Sequence, residues 1–355
     1  MAELAGFAAN GGSGLYGYSR NSTFQRKAIE GAKELIDKAI AEKLEINDFS
    51  STKAFQVADL GCSVGPNTFL AVQNIIDAIE LKYKKCQGQS SSLQLPEFQV
   101  FFNDQISNDF NQLFTSLPPE RRYYAMGMPG SFHGRLFPNG SLHFVHSSFS
   151  LQILSRVPNE VVDKSSPAWN KGRIHYTNSS DEVFRAYEAQ YEKDMERFLN
   201  ARAQEIVHGG LMALILPCCP NGKSHSEAFV NMTIDLLGSS LVDMARKGMI
   251  SEEKVDSFNI PTFNASLSQV EAIVKRNGCF RIEILKSLPQ EKPQPKVLSS
   301  TMRACMEGMI KQHFGYEILD ELFDLLSKKF EESFSSSEPE IEISLFVLLK
   351  RKYNK

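Results

Sequence analysis

Phe55-Gln-Val-Ala-Asp-Leu-Gly-Cys-Ser-Val-Gly-Pro-Asn-Thr68 decides the fold. Phe55 to Leu60 is a short apolar run, and the apolar positions from Phe69 to Lys82 recur at helical spacing, so the order is strand, glycine turn, helix. Gly61 and Gly65 allow a sharp turn and close approach to a ligand, while the following helix offers free N–H groups at its positive end. A plain structural turn is the competing reading of the same residues. The spacing is neither the dinucleotide pattern G-x-G-x-x-G nor a phosphate loop, because no Lys-Ser or Lys-Thr follows. That argues against NAD and ATP and leaves a nucleoside without a polyphosphate.

Outward from this turn, Ser22 to Lys43 reads as an amphipathic helix entered from the glycine-rich stretch Asn10 to Gly17. A polar loop, Cys86 to Pro96, precedes a β-rich run at Phe98 to Phe102, which completes a right-handed βαβ unit. Further strands are expected at Ser141 to His146, Gly210 to Leu216 and Ile341 to Lys350, with a long helix from Asp181 to His208. The polar tract Glu331 to Glu340 reads as a loop. Residues 221–315 turn mostly helical, broken at Phe258 to Pro261 and at Pro289 to Pro295, and read as a helical cap. The expected architecture is α/β, a Rossmann-like sheet formed by residues 1–220 and 316–355 with the cap inserted at 221–315.

Composition narrows the function. The chain has 355 residues, with 39 Lys plus Arg against 42 Asp plus Glu, a net charge of −3 that argues against a nucleic-acid binder. Hydrophobic content of 42% and charged content of 23% are those of a globular protein. No apolar run approaches the ~20 residues needed to span a bilayer. The N-terminal M-A-E-L-A-G-F lacks the basic flank of a secretory signal, and six unpaired cysteines suit a reduced, cytoplasmic protein.

Asn103-Asp104 ends the second strand. An acidic residue there can accept both hydroxyls of a ribose, although an acidic residue near Asn108-Asp109-Phe110 also serves as a helix N-cap. Glycine turn and acid together favour an adenosine cofactor without phosphates, for which S-adenosylmethionine is the natural candidate.

With these residues in place, the sequence resembles the plant SABATH methyltransferases along nearly its whole length. The shared motifs include Tyr18-Ser-Arg-Asn-Ser22, Asp59-Leu-Gly-Cys-Ser-Val-Gly-Pro-Asn67, Phe102-Asn-Asp104, Pro129-Gly-Ser131-Phe132, Phe149-Ser-Leu-Gln152-Ile153, Arg202-Ala-Gln-Glu205 and Asp256-Ser-Phe-Asn259. The resemblance implies a class I methyltransferase fold and transfer of the methyl of S-adenosylmethionine to a carboxylate. It implies that Tyr18, Ser22, Asp59, Gly61, Cys62, Asn67, Asp104, Gln105, Ser131 and Phe132 surround the cofactor. It brings Gln25, Phe149, Gln152, Ile153, Ile234 and Met302 to the acid. It further implies a homodimer, and a magnesium ion at Asn178, Asp256, the carbonyl of Phe258 and Asn259, although Asp256 to Asn259 also reads as a turn.

The departures from the family pattern bear on the substrate. Ile153 and Ile234 stand where relatives commonly carry Trp, and Phe149 where they carry Tyr. Ile153 cannot donate a hydrogen bond, and Trp169 is the single tryptophan of the chain. Loss of flat walls favours a bulkier or aliphatic acid, with Gln25 and Gln152 as neutral amide partners. A carboxylic acid with pKa near ~4 is already ionised at neutral pH, so no general base is required. His133 and His146 accordingly read as structural. N-methylation of a purine-like heterocycle, or cofactor binding without turnover, are the alternatives.

Overall fold

The computed structural model describes residues 8–46, 54–87, 94–220, 222–334 and 340–353. Most of the loop expected at Cys86 to Pro96, the first seven residues, and 335–339 of the polar tract lie outside these residues. In chain order the helices are α1 (Tyr18–Asn21), α2 (Thr23–Lys43), α3 (Asn67–Gln87), α4 (Phe110–Thr115), α5 (Asp181–Glu205), α6 (Phe229–Arg246), α7 (Glu252–Asp256), α8 (Leu267–Asn277), α9 (Pro295–Phe314) and α10 (Leu319–Ser333). The strands are β1 (Ala54–Leu60), β2 (Glu97–Asp104), β3 (Tyr124–Pro129), β4 (Leu142–Ser148), β5 (Ile206–Pro217), β6 (Phe280–Glu291) and β7 (Glu340–Arg351).

Among the described residues the strands form one sheet in the order β3-β2-β1-β4-β5-β7-β6. The pairs among β1 to β5 are parallel, and β7 runs antiparallel to both β5 and β6. This is the expected α/β Rossmann-like sheet. Strand order reverses between β1 and β4, and in open α/β sheets ligands bind beyond the strand ends at such a point.

Alternation along the strands builds two apolar layers. Val57, Phe144, Leu211, Ala213, Phe346 and Leu348 face α2 and α3, whereas Ala58, Val145, Met212, Leu214, Val347 and Leu349 face α5 and α8. Both faces are covered, which is why β5 and β7 read as nearly continuous apolar runs. Helix α2 turns Phe24, Ala28, Ala32, Ile36 and Ile40 inward at helical spacing. A third apolar cluster joins α6, α9 and α10 around Leu237, Leu241, Met302, Ile310, Leu322 and Leu326, with Phe24 of α2 at its edge.

The structure departs from the sequence reading at both sheet edges. Within 221–315, expected to be mostly helical, β6 adds to β7 as an edge strand and α8 packs on the sheet layer. Pro289 is tolerated there because an edge strand leaves one row of backbone groups unpaired. Strand β3, Tyr-Ala-Met-Gly-Met-Pro, forms the opposite edge and carries no apolar alternation that would reveal it. Residues 331–333 of the expected polar loop continue α10.

Leu348, fully buried between β5 and β6, tests the layer model. Leu348→Ala is expected to lower unfolding free energy by about 2–5 kcal/mol, read as a reduced urea midpoint.

Candidate active site

The site begins where β1 ends. Gly61 has φ of +83°, and a Cβ there would lie 1.9 Å from Ser150 Oγ, so position 61 requires glycine for both conformation and space. The Gly61 and Cys62 amides both donate to the Asn103 carbonyl, at 2.8 and 2.9 Å, which bends the turn onto the end of β2. Asn103 Nδ2 in turn donates to the carbonyls of Met128 and Gly130, at 2.7 and 2.9 Å, drawing in the end of β3. Beneath the turn, the buried Asp59 carboxylate accepts from Thr68 Oγ1 and meets His146 Nδ1 at 2.7 Å. Asp59 therefore ties β1, β4 and α3 together and faces the protein.

Asp104 stands at the end of β2. Its Oδ2 accepts the Ser63 amide and its Oδ1 the Gln105 amide, both at 2.8 Å. Each oxygen keeps acceptor capacity beyond that single bond. Burial pushes its carboxyl up to about 6, against the lowering by the two amides, and Asp59 adds to the rise. Nearby Ser63 Oγ and Gln105 Oε1 are buried without a protein partner. The helix-capping role falls instead to Asp109, whose Oδ1 accepts from the Gln112 amide at 2.9 Å.

The N-terminal segment packs against this turn. Asn67 Nδ2, at the start of α3, donates to Ser22 O and Ser22 Oγ, both at 3.0 Å, and Tyr18 lies beside Asn67, Cys305 and Asp104. Burial raises the pKa of both the Tyr18 phenol and the Cys62 thiol, so neither ionises at neutral pH. The irregular segment 10–12 is pinned at both ends: Asn10 N donates to Ala304 O of α9 at 2.8 Å, and Gly12 N to Asp109 Oδ2 at 3.2 Å. On the opposite side, the Phe132 ring lies 3.9 Å from where a Gly61 Cβ would sit, and neighbouring Ser131 is exposed. His133 is buried beside that ring, and burial lowers its pKa.

The residues expected at the acid gather on a seam between the sheet and the third cluster. Gln25 on α2 is 7% exposed, and its Nε2 meets Cys305 Sγ of α9 at 3.7 Å while its Oε1 has no protein partner. Burial pushes the Cys305 thiol up to about 12. Phe149 meets Phe24 edge-on at 5.6 Å and packs against the cluster that contains Ile234 and Met302. Gln152 Nε2 donates to the Phe149 carbonyl at 2.7 Å, which fixes the amide and leaves Oε1 unpartnered. Ile153, next in the chain to Gln152, pairs with Thr262 and is 37% exposed, whereas Ile234 is buried.

The four residues expected at magnesium take part in hydrogen bonds and packing of their own. Asn259 Oδ1 accepts from Asn170 Nδ2 at 2.7 Å and Tyr187 OH at 3.3 Å, Asp256 Oδ1 accepts the Gly172 amide at 2.7 Å, and Asn178 Nδ2 donates to Asp235. Phe258 is buried in the third cluster. One carboxylate with its oxygen engaged is a poor donor set for a hard dication. Among the described residues no group of three or more His, Cys, Asp or Glu is placed to hold a metal.

Sequence reasoning missed Cys305 and Asp109 as contacts, since they bridge residues 280 and 97 positions apart. It also gave no role to Arg202 and Glu205, although their motif was visible. Among the described residues no helix is long and apolar enough to cross a membrane.

Known proteins are similar to this chain along most of its length. Residues 5–352 match the family model described as SAM dependent carboxyl methyltransferase. Loganic acid O-methyltransferase of Catharanthus roseus is 46% identical, over 97% of this chain and 94% of that protein. Farnesoic acid carboxyl-O-methyltransferase of Arabidopsis thaliana is 43% identical, over 92% and 93% respectively. A solved structure of a loganic acid methyltransferase with SAH superposes with a TM-score of 0.91 at 44% identity, covering 98% of this chain and 99% of the other.

The turn makes its own prediction. Gly61→Ala forces a strained φ and a clash with Ser150, and is expected to cost about 1–3 kcal/mol of stability by chemical denaturation. An unchanged midpoint would show that the turn yields freely.

Proposed function

The chain belongs to the SABATH family of S-adenosylmethionine-dependent carboxyl methyltransferases, and on that premise we propose that it esterifies a bulky or aliphatic plant acid, with Asp104 holding the cofactor ribose. The observation that carries the cofactor reading is the half-buried Asp104 carboxylate at the switch point, with one backbone amide on each oxygen and acceptor capacity left on each. Buried, unpartnered Ser63 Oγ and Gln105 Oε1 fit further polar atoms of the same group. Tyr18, Ser22, Cys62 and Asn67 close one side, Phe132 offers an apolar face to adenine, and Ser131 a hydroxyl to its amine. Gly61 lets the main chain approach, and Asp59 holds the turn in place. When bound, S-adenosylmethionine supplies a methyl group on a sulfonium.

The protein has no proton to move for this reaction, because the acid is ionised at neutral pH. Its task is to orient the carboxylate and exclude water. Gln25 and Gln152 are the polar groups at the acid, and Phe149, Ile153, Ile234 and Met302 supply branched and unbranched apolar surface. The absence of an indole among them, together with relatives named for loganic and farnesoic acids, supports a bulky or aliphatic substrate. The third apolar cluster supports a helical cap over the acid. The same reading puts the enzyme in the cytoplasm, where its six free thiols stay reduced, as a homodimer of the kind the family resemblance implies.

Two experiments test this. Only the ionised Asp104 can accept a ribose hydroxyl on both oxygens, so affinity for S-adenosylhomocysteine should be flat above pH 7 and fall, by at most tenfold per pH unit, below about 6. Asp104→Asn should lose about 2 kcal/mol of binding at pH 7 and abolish that slope in calorimetry. Separately, methyl label from S-adenosylmethionine incubated with a panel of acids should enter a product that mild base releases as methanol. Base-stable label would move the reaction to nitrogen.

A further inference from the structure

We propose that the buried Arg202–Glu205 pair positions the cofactor by clamping the segment that carries Ser131 and Phe132; this rests on Phe132 being the adenine platform. Both side chains are fully buried at the C-terminal end of α5, and Arg202 Nε lies 2.7 Å from Glu205 Oε2. Everything else they offer goes to one irregular segment between β3 and β4. Arg202 Nη1 donates to Phe132 O at 2.9 Å and Nη2 to Gly134 O at 2.8 Å. Glu205 Oε1 accepts the amides of Leu136 and Phe137, at 2.5 and 3.0 Å.

Four main-chain bonds thus replace the ladder that residues 132–137 lack, and buried backbone groups need such partners. An apolar pair would hold a helix against a sheet at no desolvation cost, whereas a buried ion pair is expensive and earns its place through geometry. Only the planar guanidinium reaches two carbonyls two residues apart while keeping Nε for Glu205. The same guanidinium lies over the Phe198 ring at 5.2 Å, and Phe198 meets Phe132 edge-on at 6.3 Å. One arginine therefore sets both the main chain of Phe132 and the floor beneath its ring, while the ring itself stands beside Gly61. Arg202 touches neither the cofactor nor the acid in this account; it is a positioning residue.

Arg202→Lys keeps the charge and removes the fork. In the full-length enzyme it is expected to raise the KM for S-adenosylmethionine and the Kd for S-adenosylhomocysteine at least tenfold. The KM for the acid and kcat at saturating cofactor should stay within threefold of wild type. A purely structural role would lower kcat with the amount of folded enzyme and leave the cofactor KM unchanged, and that result would overturn the proposal. If Arg202→Lys does not fold, Arg202→Met combined with Glu205→Leu removes both charges and is read in the same way. Phe132→Ala separates the two layers of the argument. Unchanged affinity in Phe132→Ala defeats the adenine reading itself, whereas weakened affinity there with normal affinity in Arg202→Lys defeats the positioning role alone. Arg202→Lys added to Phe132→Ala should weaken binding by less than the sum of the two single effects, since they share the Phe132 ring while the Ser131 contact is left for the arginine alone to hold.

Discussion

The arrangement depends on the buried Asp59 carboxylate. A charge removed from water must be met by hydrogen bonds, and Asp59 is met by Thr68 Oγ1 and His146 Nδ1. Those partners belong to α3 and β4, so the bonds that satisfy one aspartate also fix three elements at the point where strand order reverses. Ser147 Oγ adds a bond to the Leu60 carbonyl at 2.8 Å, holding the last residue of β1 against β4. With that corner fixed, the chain leaving Leu60 can only turn over the end of β2, and Gly61 is the residue able to make the turn.

The two halves of the proposed site are then built by different means. The cofactor half is main-chain geometry: amides of Gly61, Cys62, Ser63 and Gln105 are all consumed on Asn103 and Asp104. Such a half tolerates little variation in backbone and much in surface. The acid half is made of side chains from α2, the segment after β4, and the helical layer, meeting across long separations such as Gln25 with Cys305. Substitution there would change shape without disturbing the turn, because among the described residues the acid half shares no main-chain bond with it.

The same division explains what the sequence could reveal. β1, the glycine turn, α3 and β2 were legible because they are contiguous and both faces of the strands are buried, so composition alone marks them. Asp104 was legible because its place follows from the strand before it. β3 and β6 were not, since edge strands carry weaker patterns and β6 sits among helices with a proline in its last turn of pairing. The metal reading failed to gain support for a related reason: Asp256 and Asn259 are hard oxygen donors by type, but only coordinates show that their oxygens answer Gly172, Asn170 and Tyr187. Arg202 and Glu205 were visible as a motif, yet their partners are main-chain atoms about 70 residues away, which no side-chain pattern encodes.

Backbone strain marks both halves. Among the described residues, the non-glycine positions with positive φ are Ser63, Phe149 and Asn178. Asparagine adopts this conformation readily, but an aromatic residue at φ of 53° costs about 1–3 kcal/mol and persists only where neighbours enforce it. At Phe149 the enforcement is on both sides: its amide donates to Ile215 O at 2.9 Å and its carbonyl accepts from Gln152 Nε2 at 2.7 Å. Gln152 Nε2 therefore holds the strained residue with one hydrogen and keeps its second for the proposed acid carboxylate. An error in the Phe149 backbone moves the apolar wall and the polar contact together, so the strain is better understood as the cost of aiming both from one short segment.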